Sequence, residues 1–117
     1  MLLLESGVLE EYVRQIVKNT DPDVVVLFGS QARGTMTADS DVDILVVHPG
    51  PRLRRIQRTA YESLRGHSTP VDIIVRSPED VEGRLAWSDP FITNIVNEGR
   101  VLYGKPSSRG MAIFSRT

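Results

Sequence analysis

Two short apolar runs constrain this chain most: "VVVLF" at 24–28 and "VDILVV" at 42–47, joined by a stretch of small and polar residues. Runs this short, rich in β-branched residues and bounded by turn formers, predict strands covered on both faces. The second strand opens on two acids one residue apart, Asp41 and Asp43. Residues i and i+2 of a strand share a face, so the two carboxylates project together while Val42 and Ile44 point the other way. Like charges side by side repel and Asp is depleted in strands, so folding alone gives no reason for the pair.

The flanking sequence supplies helices. Val8, Leu9, Tyr12, Val13, Ile16 and Val17 recur at helical spacing before the first strand, with Ser6 as the expected cap. After the second strand, Pro51 reads as a helix start, Leu53, Ile56, Ala60 and Leu64 form an apolar stripe, and Gly66 is the stop. "VDIIV" at 71–75 is a third strand with Asp72 in second place. Ser77 caps a further helix with Glu79 and Asp80 in its first turn, and the pattern from Leu85 to Val96 breaks near Asp89-Pro90. "RVLYG" at 100–104 is a last short strand or a helix end. From Lys105 onward no periodicity remains. The expected organisation is one domain over 1–104 and a flexible tail over 105–117, its Met111, Ile113 and Phe114 being disordered rather than docked. Helices alternating with strands predict an α/β (α+β) fold, a small mixed sheet with helices packed on it.

Connection lengths then bring the acids together. A short link makes the first two strands antiparallel neighbours, and a helical crossover makes the third parallel to the second. The end of the first strand and the starts of the other two meet at one sheet edge, with Gly29, Ser30, Asp41, Asp43 and Asp72. At a separation of ~4 Å and an effective dielectric near ~20, each carboxylate pair costs about 4 kcal/mol until a proton or cation intervenes. Carboxylate oxygens suit a hard cation, Mg²⁺ above all, which keeps waters and accepts phosphate oxygens as its remaining ligands. Gly29-Ser30 lets the backbone approach an anion closely and presents amide N–H groups; Arg33 adds a cation. Phosphates on one side and metal on the other describe a nucleoside triphosphate site.

Each part has an ordinary structural reading. Gly-Ser is a common turn, Asp-x-Asp is often a solvated strand end, Asp72 alone is a strand-start acid facing water, and Arg33 serves equally as a surface ion-pair partner. Only the conjunction favours a site. "GSQARGT" also mimics the start of a P-loop, but Thr35 stands where its lysine belongs. His48 and His67 flank strands with no ligand pattern around them, and Arg52, Arg54, Arg55 and Arg58 read as a solvated helix face. Trp87, with Leu85 and Phe91, reads as core or partner surface rather than a stacking platform for a base.

Composition narrows the class. The 117 residues are 40% apolar and 25% charged, with a formal net charge of −1, so no basic field points to nucleic acid. Without cysteine there are no disulfides or thiolate metal sites, which fits a cytoplasmic protein. "MLLLESG" is too short and acidic for a signal peptide, and no later run is long enough to span a membrane.

Gly29-Ser30, ten intervening residues, Asp41-Val42-Asp43, then Asp72 on a later strand together resemble the signature of the DNA polymerase β-like nucleotidyltransferases. Ala32-Arg33-Gly34, Ser40 and "NEGRVLYG" are similar to the minimal nucleotidyltransferases of bacteria and archaea, and the likeness spans residues 10 to 104. The resemblance implies that Asp41 and Asp43 hold two Mg²⁺ ions (Mn²⁺ as substitute), that Asp72 joins the metal that activates the attacking hydroxyl, and that Gly29 and Ser30 hold the β,γ-phosphates of ATP. It also implies a HEPN-domain toxin as partner, with this chain as antitoxin and a toxin tyrosine as acceptor of AMP. Gln31 departs from the arginine of several relatives, which weakens triphosphate binding. Some thirty residues between Asp72 and 104 are too few for an acceptor-binding domain. The acceptor is therefore expected from another chain. A contact-only antitoxin, and a homodimeric enzyme acting on a small molecule, are the alternatives.

Overall fold

A computed structural model describes residues 7–29, 42–66 and 70–115. The chain runs α1 (Val8–Thr20), β1 (Val24–Phe28), β2 (Val42–Val47), α2 (Leu53–Ser63), β3 (Val71–Arg76), α3 (Pro78–Ala86), α4 (Pro90–Glu98), β4 (Arg100–Gly104) and α5 (Arg109–Phe114). The strands form one mixed sheet in the order β3-β2-β1-β4. β1 is antiparallel to both β2 and β4, and β2 is parallel to β3, as the connection lengths require.

Strand alternation divides the core into two layers. Val25, Leu27, Val42, Ile44, Val46, Ile73 and Val75 face α1 and α2, meeting Leu9, Tyr12, Ile16, Ala60 and Leu64. Val24, Val26, Leu45 and Val47 face the other way, against Val81 of α3, Ile92 and Ile95 of α4, and Ile113 and Phe114 of α5. Ile44 and Leu45 are both fully buried on opposite faces. Truncating either to alanine costs about 2–5 kcal/mol, the transfer loss plus the cavity left behind.

The free edge of β3 is covered rather than left open. Tyr61 and Gln57 of α2 reach over it: the Ile73 N–H donates to the Tyr61 hydroxyl at 2.8 Å, and Gln57 Nε2 donates to the Ile73 carbonyl at 2.7 Å. Those groups would otherwise invite another strand. At the other turn of the layer, Ser77 caps α3 by accepting from Asp80 N, and Asp89 caps α4 by accepting from Phe91 N. Arg84 ties the first turn of α3 to the cap of α4, donating to Asp80 at 3.0 Å and to Asp89 at 3.4 Å. The Asp80 hydrogen bond and charge, with Asp89 behind them, raise the Arg84 guanidinium above its ordinary value.

Three expectations are corrected. Gly7, not Ser6, occupies the N-cap of α1, and it makes no side-chain cap bond; Ser6 lies outside the described residues. α2 begins at Leu53 rather than Pro51, because Arg52 adopts a left-handed conformation at φ 53° and breaks any turn running on from the proline. The tail from 105 is not unstructured over its described length. Ser108 caps α5, whose Ile113 and Phe114 are buried in this chain's own core. Gly110 N donates to the Asp23 carboxylate at 3.0 Å, and a Cβ on Gly110 would stand 2.6 Å from Asp23 Cβ, so only glycine admits this contact. His48 has a structural use: its Nε2 donates to the Thr20 carbonyl at 2.8 Å and its Nδ1 accepts from Gly50 N at 3.0 Å.

Candidate active site

The layer that packs on α3, α4 and α5 stops short of one end of the sheet. Register places Phe28 opposite Asp43, and Asp43 opposite Asp72. Directly paired residues share a face, so one row across three strands carries Phe28, Asp43 and Asp72 on the side of α4. Two positions further into the sheet the same columns read Val26 and Leu45, which are buried core, and Ile74, which packs half-buried against it. Among the described residues, the acids therefore begin where the cover of α3, α4 and α5 ends. Asp72 is exposed and Asp43 is half-buried. Parallel neighbours stand about 4.8 Å apart, which brings the two side chains within reach of a single cation.

Gly29 follows β1 directly and takes a positive φ of 77°. A Cβ there would strike the Asp43 carboxylate. Glycine is needed twice over, for the backbone angle and for the close passage of the turn past an acid. Ser30, Arg33 and Asp41 lie outside the described residues.

An open cleft of about 370 Å³ is lined by Asp43 and Asp72 with Phe28, Gln57, Tyr61, Ile73, Ile74 and Phe91. A smaller hollow of about 210 Å³ lies beside Gly29 and is lined by Phe28, Phe91, Asn94, Ile95, Glu98 and Gly99. The pair Phe28–Phe91 separates them, edge to face at 5.8 Å and 87°. Among the described residues no group of three or more potential metal ligands assembles. Asp43 and Asp72 are the two acids available there, and oxygen-only donors fit a hard divalent cation rather than zinc or copper. Sequence reasoning missed Tyr61, Gln57 and Phe91 as cleft residues. Tyr61 sits on the exposed side of an amphipathic helix, and nothing in its spacing marks it as the residue that braces the strand beside Asp72.

Solved structures share this four-stranded mixed sheet and its helices. A provisionally named nucleotidyltransferase from Sulfolobus solfataricus superposes with a TM-score of 0.57 at 24% identity, covering 86% of this chain and 80% of that one. A toxin–antitoxin complex with AMP-PNP gives 0.55 at 20% identity, over 91% and 84% of the two chains. A mutant of the toxin–antitoxin pair MntA–HpeT gives 0.58 at 17%, over 90% and 80%. The nucleotidyltransferase domain family model matches residues 8–102, and this chain belongs to that family. Two proteins of Methanocaldococcus jannaschii, both provisionally named protein adenylyltransferases, are similar in sequence. One is 37% identical over 79 residues, covering 68% of this chain and 76% of the relative; the other is 28% identical over 108 residues, covering 86% and 72%. Among the described residues no helix is long and apolar enough to cross a membrane.

Proposed function

We propose that this protein transfers AMP from ATP to a hydroxyl of a partner protein, a tyrosine of a HEPN-domain toxin, and so acts as its antitoxin. The observation that carries the reading is the register pairing of Asp43 with Asp72 at the end of the sheet where β2 and β3 begin, with Gly29 passing close to Asp43. The two archaeal relatives support the reaction class, and the toxin–antitoxin fold neighbours support the kind of partner.

The roles are those that the family signature in the sequence implies. Gly29 and Ser30 hold the β,γ-phosphates, and Arg33 adds positive charge to them. Asp41, Asp43 and Asp72 would hold Mg²⁺, as two ions, with Mn²⁺ as a substitute. Bound metal supplies neutralisation of charge at the α-phosphate and a more acidic acceptor hydroxyl. The acceptor oxygen attacks the α-phosphorus, the bond from that phosphorus to the β-bridging oxygen breaks, and pyrophosphate leaves toward the Gly29 turn. The hydroxyl proton passes to Asp72 or to water beside it. The acceptor is offered by the partner, as the open side of the cleft at Asp72 permits.

Mass spectrometry tests this. The wild-type chain, incubated with ATP, Mg²⁺ and the HEPN-domain protein encoded beside it, should add one AMP group or more to that protein. Asp43→Ala should add none while still forming the complex. A partner that stays unmodified in both cases yet is still inhibited would leave contact alone as the mode of action.

A further inference from the structure

We infer that Phe91, braced edge-on by Phe28, is the stacking platform for the nucleobase of the bound nucleotide. The inference rests on the nucleotidyl-transfer reading above and adds the part of the nucleotide that reading leaves unplaced.

In-line displacement puts the incoming and leaving oxygens on opposite sides of the α-phosphorus. With the acceptor at Asp72 and the β,γ-phosphates at Gly29, that axis runs along the row from β3 through β2 to β1. The remaining bulky substituent, the 5′-oxygen with its nucleoside, must leave across the row. Among the described residues, the strands end in one direction, and in the other the sheet continues beneath α4. The residue at that border is Phe91, in the first turn of α4 and 49% exposed. It lines both the cleft that holds Asp43 and Asp72 and the hollow beside Gly29, so it borders the reacting centre on both sides.

Its presentation is fixed. The Phe91 N–H donates to the Asp89 cap, Asp89 is held by Arg84, and Ile92 next to it is buried in the core. Phe28 meets the Phe91 ring at 87°, which orients the ring without covering it fully. A half-exposed aromatic held in one orientation gives a base a flat surface at small ordering cost. Trp87 is more exposed, at 73%, but lines neither hollow. The sequence expectation that Phe91 is core or partner surface is revised accordingly. Every base has a π-face, so the platform accepts any nucleotide and favours purines for their larger rings.

Calorimetric titration of the full chain with Mg²⁺ present tests the assignment, using ATP, UTP and inorganic tripolyphosphate as probes. Phe91→Leu keeps an apolar contact to Phe28 but removes the ring; Phe91→Trp keeps a ring. Phe91→Leu should weaken ATP about tenfold, UTP less, and tripolyphosphate not at all, while Phe91→Trp should retain ATP affinity. ATP affinity unchanged in Phe91→Leu, or loss of ATP and tripolyphosphate by the same factor, would overturn the platform. If the wild type binds tripolyphosphate and ATP but ATP ignores Phe91, the base lies elsewhere and the transfer reading stands. If the wild type binds neither, the nucleotide reading fails and the platform with it.

Discussion

At the end of the sheet where β1 begins, Asp23 is 5% exposed and its carboxylate accepts from Gly110 N of α5. At the end where β2 begins, Asp72 is exposed and paired in register with a second acid. The backbone around Asp23 is equally committed: its N–H donates to the Val47 carbonyl at 2.7 Å and its carbonyl accepts from Lys105 N at 2.8 Å. One end therefore uses a carboxylate as a structural acceptor and closes a helix over it. The other brings Asp43 and Asp72 together in one row, Asp72 exposed and Asp43 half-buried. A negative charge at a strand end is thus no sign of function in itself. What separates the two is placement: Asp23 is buried beneath α5, whereas Asp72 lies exposed beside Asp43 in register.

The largest expected effect lies at the closed end. Asp23→Ala leaves the Gly110 N–H without its acceptor and loosens α5 from the sheet. It should cost about 2–3 kcal/mol, since a buried hydrogen bond to a charged group is lost and a donor is stranded. Urea denaturation would show a lowered midpoint, and Mg²⁺-dependent nucleotide binding should survive under folding conditions. Loss of nucleotide binding in a folded Asp23→Ala protein would show that the two ends are coupled.

Gly29→Ala should reverse the balance. Holding a non-glycine residue at positive φ costs about 1–2 kcal/mol, and the added Cβ pushes the Asp43 carboxylate aside. Stability should fall modestly while ATP binding falls by more than tenfold, as read by denaturation and titration on the same preparation. A variant that loses stability but binds ATP normally would remove the Gly29 turn from the site.

Much of the open end was legible beforehand, and the closed end was not. The strands announced themselves through β-branched runs, and link lengths decided which pairs are parallel. With the register nearly determined, Asp43 and Asp72 had to meet. The role of Asp23 was not legible because its partner is 87 positions away, a distance that local patterns do not carry. α5 is six residues long and contains Gly110, so it offers no apolar period to detect. Its glycine is there for close approach to Asp23 rather than for flexibility. Phe91 was visible as an apolar helical residue, but whether such a residue is core or cleft depends on where the helix starts over the sheet. Arg52 shows the same limit: its left-handed angle, which delays α2, has no signature in a stretch read as proline-led helix.

The contrast between the two ends is tested most directly by thermal melting of Asp43→Asn combined with Asp72→Asn, measured without metal and again with Mg²⁺ and ATP. If the open end is built for a cation and phosphates, the double variant melts within a few degrees of wild type in metal-free buffer, because removing like charges offsets any lost contact. It then gains nothing from Mg²⁺ and ATP, whereas wild type gains stability as ligand rises. A double variant that melts far below wild type without metal, and still rises with Mg²⁺ and ATP, would mean that these carboxylates hold the fold, as Asp23 does, and that the ligand binds elsewhere.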